Sequence, residues 1–247
     1  MGLFKSFVNQ TRKPDGFLGK LMLSGMNSGH AKLADWGFSH LPDIAPEKAV
    51  DLGCGAGRNV GELLKKYPKA YVAGIDYSDL SVEKAKEYNG DSIAAGRCGI
   101  QQGDVSELKL PAGAFDLATA FETVYFWPDI VNSFQEVKRI LKDDGKFFIV
   151  MDANGCYTPK LEEITKNENC IFYTDEELKE LLLEAGFTKI TSIIRKRKTD
   201  EKLIKKTIND KYCEKIIEEK YPDDVFEEYS EDGFPSSPEW YCIIAKK

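Results

Sequence analysis

Apolar residues recur along this chain in short runs, and each run is followed by a stretch at helical spacing. The runs centre on Ala49-Val50-Asp51-Leu52, Tyr71-Val72-Ala73-Gly74-Ile75, residues 98–102, residues 115–121 and residues 146–152. Runs of this length, apolar at nearly every position, suit parallel strands covered on both faces. Helices are expected between them at 57–66, 79–88, 130–141 and 174–185. Thr174 with Glu177 three residues later forms a capping box for the last of these, and Gly186 falls where a C′ glycine ends it. Asp143-Asp144-Gly145 signals a turn ahead of the strand that starts at Lys146. Further strands are expected at 188–195 and 239–245. Alternation of this kind predicts an α/β fold with parallel strands and right-handed crossovers.

Two regions break the alternation. In residues 1–45, Phe17, Leu18, Leu21, Met22 and Met26 recur at helical spacing. Gly16, Gly19 and Gly25 loosen that helix, because an interior glycine costs about 1 kcal/mol relative to alanine. A second short helix is expected from His30 to His40, stopped by Pro42. Two short helices with glycine joints suit either a lid over a binding site or a plain cover of the sheet. Residues 199–233 carry twelve acids against six lysines, so this stretch holds nearly all of the net charge of −7. Leu203, Ile204, Tyr212, Ile216 and Ile217 predict an acidic helical insertion with one buried stripe.

Charge and composition narrow the partners. An acidic chain lacks the basic surface that phosphate neutralisation needs, which argues against nucleic acid. No stretch is as long and apolar as a membrane span, and no signal-peptide pattern follows Lys5, Arg12 and Lys13. Met1-Gly2 with Ser6 fits the short myristoylation motif, with nothing else to support lipidation. The six cysteines, 54, 98, 156, 170, 213 and 242, form no C-x-x-C pair, so a metal site is not expected, and scattered thiols fit a cytoplasmic protein.

The candidate chemistry sits in Asp51-Leu52-Gly53-Cys54-Gly55-Ala56-Gly57-Arg58-Asn59. Three glycines at alternate positions turn the backbone sharply and let a ligand lie against it. The turn falls at the carboxyl edge of the first strand, where nucleotides bind in folds of this class. The spacing is not the dinucleotide G-x-G-x-x-G, since the third glycine comes one place early. Asp51 would repel a pyrophosphate but not a cation. Asp76 lies 23 residues past Gly53, and Asp104 closes a third segment. Three acids at successive strand ends suit a ligand with hydroxyls, an amine and positive charge, and disfavour a nicotinamide oxidoreductase.

These motifs resemble the class I S-adenosylmethionine-dependent methyltransferases, over roughly residues 46–195 and in that family's order. DLGCGAG at 51–57, GIDYS at 74–78, GDV at 103–105, FDLATAFE at 115–122 and LKDDGKF at 141–147 carry the likeness. It is similar in particular to the small-molecule methyltransferases of the ubiquinone and menaquinone type. The resemblance implies a Rossmann-like, doubly wound, seven-stranded sheet, mostly parallel with an antiparallel last strand. An N-terminal helical lid would occupy 1–45 and the methyltransferase domain 46–247. S-adenosylmethionine is the implied cofactor and S-adenosylhomocysteine the product. Asp51, Gly53, Cys54, Gly55, Gly57 and Asn59 would surround its methionine part, Asp76 its ribose, Tyr77, Asp104 and Val105 its adenine. Phe121 would lie near the sulfonium.

The acceptor is expected beyond the fourth strand, as a small molecule. Met26, Trp36, Tyr125 and Trp127 are candidates to line its pocket, with core packing as the competing role of the aromatics. His30 and Glu122 are candidate general bases, with Tyr125 third. A monomer or homodimer without stable membrane association is expected. The alternative is a regulatory protein that binds the cofactor without turnover.

Overall fold

The structure, a computed structural model, describes residues 31–152, 171, 173–198, 226–228 and 236–247; for 196–198, 226–228 and 236–239 it describes the backbone. Helix α1 spans Ala31–Ser39. Then come β1 (Lys48–Leu52), α2 (Arg58–Lys66), β2 (Tyr71–Asp76), α3 (Asp79–Tyr88), a short α4 (Gly90–Ala94) and β3 (Cys98–Gln102). The chain continues through β4 (Phe115–Phe121), α5 (Ile130–Ile140), β5 (Leu141–Asp152), α6 (Asp175–Glu184), β6 (Thr188–Lys198), β7 (Phe226–Glu228) and β8 (Ser236–Lys246).

One sheet results, in the order β3-β2-β1-β4-β5-β8-β6-β7. Strands β1 to β5 pair in parallel, and β8 inserts antiparallel between β5 and β6. This is the expected seven-stranded layout with one short strand added at its edge. Successive residues of each central strand enter opposite cores, as the pleat requires. Val50, Ala73, Ala118 and Phe147 face α5 and α6, where Phe134, Val137, Leu178 and Leu182 are buried. Ala49, Val72, Leu117 and Phe148 face α1, α2 and α3, with Leu33, Val60, Leu63 and Ala85. Both faces are covered, which is why the strands read as continuous apolar runs.

Predicted boundaries hold to within a residue or two in most elements. Thr174 caps α6 with the full capping box, and Gly186 follows with φ 89°. Two expectations need correction. Strand β5 starts at Leu141, which pairs with Phe115; Lys142–Gly145 then bulge before Lys146 pairs with Leu117. The Asp-Asp-Gly signal marks that bulge inside the strand rather than a turn before it. The insertion at 199–233 is not helical at Phe226–Glu228, which pair in parallel with Ile193–Arg195 and cover the outer edge of β6. The rest of that insertion, together with the arm at 1–30 and Cys156, Cys170 and Cys213, lies outside the described residues.

Helix α1 is built into the core. Leu33, Ala34, Trp36 and Gly37 are buried, and a Cβ at Gly37 would come within 2.7 Å of Val150 and 3.1 Å of Phe121. A helix seated this closely covers the sheet. Among the described residues no helix is long and apolar enough to cross a membrane.

Candidate functional site

Strand β1 runs directly into the glycine turn, and the turn hooks onto the neighbouring strand. The N–H groups of Gly53 and Cys54 both donate to the carbonyl of Ile75, at 2.7 and 2.9 Å. The three glycines have positive φ but different surroundings. A Cβ at Gly53 would lie 2.1 Å from Thr123 Oγ1, and one at Gly57 would lie 2.6 Å from Asn89 Nδ2. A Cβ at Gly55 would meet nothing within 4 Å. Gly53 and Gly57 are therefore required by packing, while Gly55 faces open space that a ligand can enter.

Two carboxylates flank this turn. Asp51 is buried, and Thr119 Oγ1 donates to its Oδ1 at 2.6 Å. Burial pushes its pKa up to about 7; the Thr119 bond acts against that, and the Asp76 charge adds to it. Asp76 accepts from the N–H of Gly55 at 2.8 Å and of Ser78 at 2.9 Å. Its pKa is also raised, by burial first, with those backbone bonds opposing. Cys54 lies beside both acids, and burial with their charges drives its thiol pKa well up, so it is an inert neutral thiol.

The remaining cofactor candidates line the same edge of the sheet. Tyr77, 37% exposed, follows Asp76 directly. Asp104 is exposed after β3 and caps the short 3-10 turn Val105–Glu107, accepting from Ser106 N–H at 2.8 Å and O–H at 2.7 Å. The Val105 side chain is in the core. Asn59 accepts from Arg58 at 3.1 Å, and Arg58 is ion-paired with Asp35 of α1. Phe121 ends β4, stacked on Phe38 of α1 with ring centroids 5.0 Å apart.

Residues 50–149 match the family described as "Methyltransferase domain". Over these residues the chain carries a methyltransferase domain, which resembles the class I S-adenosylmethionine-dependent enzymes. It is similar to a sterol 24-C-methyltransferase of Aspergillus fumigatus, at 31% identity over 122 residues, 49% of this chain and 30% of that protein. It is also similar to a malonyl-[acyl-carrier protein] O-methyltransferase of Legionella pneumophila, at 32% identity over 113 residues, 46% of this chain and 35% of that protein. The match thus spans about a third of the length of these relatives. Among solved structures, a methyltransferase of Thermotoga maritima described as a possible histamine N-methyltransferase shares the fold, with TM-score 0.59 and 18% identity over 100% of this chain and 99% of that one.

The methyltransferase domain fits the cofactor its family uses. Acceptors on two buried acids and open space over Gly55 match an amine, hydroxyls and a positive charge better than they match a pyrophosphate.

On the acceptor side, the structure gathers some candidates and separates others. Glu122 follows β4 with φ 57°, a left-handed backbone that costs a glutamate energy and that clusters at functional sites. Its Oε1 accepts from Asp152 N–H at 2.5 Å and its Oε2 from Tyr125 O–H at 3.5 Å. Glu122 and Tyr125 therefore stand together. Trp36 and Trp127 do not. Trp127 is a core residue on the α5 face, stacked on Phe147, with Nε1 donating to Thr123. Trp36 is in the opposite core, against His40 and Trp240. The expectation that both line one pocket is corrected, because Trp127 packs in the core on the α5 face and Trp36 in the core on the opposite face. His30 and Met26 lie outside the described residues.

Three working residues are not among the sequence-derived candidates. Thr119 holds Asp51, Thr123 sets the space at Gly53, and Asn89 donates to the Gly57 carbonyl at 3.0 Å. Thr119 had a visible signal, a hydroxyl within the apolar run Leu117–Phe121, and the structure sets it in register with Asp51.

Proposed function

We propose that this chain transfers the methyl group of S-adenosylmethionine to a small molecule. The observation that carries the reading is the pair of buried acids on either side of open space above Gly55. Asp51 and Asp76 are pushed towards protonation by burial, and a cationic, hydroxyl-bearing ligand supplies the compensation they need. Asp51 and residues 53–57 would hold the methionine part, Asp76 the ribose, and Tyr77, Asp104 and Val105 the adenine, with Phe121 as a wall. When bound, the cofactor supplies a methyl carbon activated by a sulfonium, so no acid is needed for the leaving group. What remains for the protein is alignment and exclusion of water. Glu122 would orient the acceptor and take its proton, a reading supported by its contacts with the Asp152 N–H and the Tyr125 hydroxyl. The net charge of −7 favours a small acceptor over nucleic acid, and the buried free thiols suit the cytoplasm.

The relatives' names specify methylation at carbon, at oxygen and, as a possibility, at nitrogen, so a shared core does not fix the attacked atom. A panel of amines, carboxylates, thiols and phenols tests the proposal through release of S-adenosylhomocysteine. Turnover with one class is expected, and Glu122→Gln should lower kcat about 100-fold while leaving S-adenosylhomocysteine affinity nearly unchanged. Tight cofactor binding with no turnover across the panel would replace the proposal with a binding role.

A further inference from the structure

Two polar side chains stand together on an otherwise apolar face of the central strands. Along the pleat, Asp51 shares the α1 face of β1 with Ala49, and Thr119 shares the same face of β4 with Leu117 and Phe121. The strands pair in parallel with Asp51 opposite Thr119, and both residues are buried. A hydroxyl in such a place costs stability unless it is bonded, whereas valine would fill the same space and suit a strand.

Thr119 has one proton and two acceptors within reach. Oδ1 of Asp51 lies 2.6 Å from its Oγ1 and the Val50 carbonyl 3.4 Å, so the short bond goes to the carboxylate. Asp51 receives no other hydrogen bond from the described residues. Asp76, across the turn, is held differently, by the backbone N–H groups of Gly55 and Ser78. The titratable neighbours of Asp51 are Asp76 at the end of β2 and Cys54 in the turn. Asp76 repels a charge on Asp51, and Cys54 is a neutral thiol. Among the described residues no cation of α1, α2 or the sheet acts on Asp51. In the free protein, the Thr119 bond is therefore what favours the carboxylate over the neutral acid.

We infer that Thr119 is a positioning residue for the cofactor, whose hydroxyl fixes the Asp51 carboxylate and keeps it charged for the ammonium group of the ligand's methionine part. The inference rests on the reading of Asp51 given above. Thr119 itself meets no ligand; it acts through Asp51. It sets the lower pH limit of cofactor binding, because a protonated Asp51 has lost the charge that attracts a cation.

Carboxyl-carbon chemical shifts of the full chain, titrated against pH without ligand, read the Asp51 midpoint in wild type, Thr119→Val and Thr119→Ser. That midpoint, about 7 in wild type, should rise by about one pH unit in Thr119→Val and stay near wild type in Thr119→Ser, which keeps the hydroxyl. Calorimetry with S-adenosylhomocysteine should show Thr119→Val binding about fivefold more weakly at pH 7, with the gap nearly closed by about pH 8.5. The proposal is overturned if the Thr119→Val midpoint is unmoved or lower, or if it rises with no change in affinity. It is equally overturned if affinity falls by one factor at every pH, as a merely structural defect would give, or if Thr119→Ser behaves like Thr119→Val. Absence of S-adenosylhomocysteine binding by wild type at every pH overturns the reading of Asp51 and, with it, the cofactor's part in the proposal. An unmoved midpoint overturns the proposal alone.

Discussion

The two halves of the carboxyl edge are built differently. On the proposed cofactor half, the candidate groups come from consecutive stretches: five residues of one turn, and single acids at the ends of β1 and β2. Backbone hydrogen bonds fix them, as with Gly53 and Cys54 on Ile75 and with Gly55 on Asp76. On the acceptor half, the geometry depends on where the chain goes after Glu122, and side chains near in sequence end on opposite faces of the sheet. A site made of one turn and strand ends can be read from spacing. A site that depends on the later path of the chain cannot.

Trp127→Ala gives the largest effect that separates the halves. As a core residue stacked on Phe147, its truncation should cost about 3–5 kcal/mol of stability, measured by denaturant unfolding. If Trp127 instead lined the acceptor pocket, the variant would stay stable and raise the acceptor KM alone.

The glycine turn offers a finer contrast. Gly53→Ala places a methyl against Thr123 at φ 75° and should destabilise the fold by about 2–4 kcal/mol. Gly55→Ala meets no atom of the protein, so its smaller stability loss should come from φ 52° alone, with a fall in S-adenosylhomocysteine affinity as the main result. Thermal melts beside calorimetry separate the two. Equal stability losses with equal affinity losses would mean that Gly55 is packed like its neighbours.

Legibility followed the same division. The succession of strands was readable because a parallel strand buries both faces, and the three acids were readable as residues at or just after strand ends. The capping box at Thr174 was readable because it is local. Asp143-Asp144-Gly145 misled, since a bulge and a turn need the same residues and only pairing with β4 distinguishes them. The short strand at Phe226–Glu228 was hidden inside an acidic stretch whose apolar spacing looked helical. Trp36 and Trp127 could not be assigned to opposite cores without the packing around each of them.

A smaller effect concerns protons. The pKa of Asp51 is raised from 3.8 to about 7. The free folded protein therefore binds a proton more tightly than the unfolded chain, and this group's contribution to stability is full below pH 4 and is lost as pH rises towards 7. A cationic ligand reverses the preference by favouring the ionised form. Affinity for S-adenosylhomocysteine should therefore rise by up to about tenfold between pH 6 and pH 8 and then level off. Asp51→Asn should flatten that profile. A profile that is already flat in the wild type would remove Asp51 from contact with the ligand's charge.

The central claim is that the buried acids around the glycine turn bind S-adenosylmethionine and its product. Titration calorimetry of the full chain with S-adenosylhomocysteine and with NAD, repeated on Asp76→Ala, tests it most directly. The account predicts S-adenosylhomocysteine as the tighter ligand, weakened by about 1–3 kcal/mol in Asp76→Ala because ligand hydroxyls lose their buried acceptor. Tighter binding of NAD, or an unchanged dissociation constant in a folded Asp76→Ala, would contradict it.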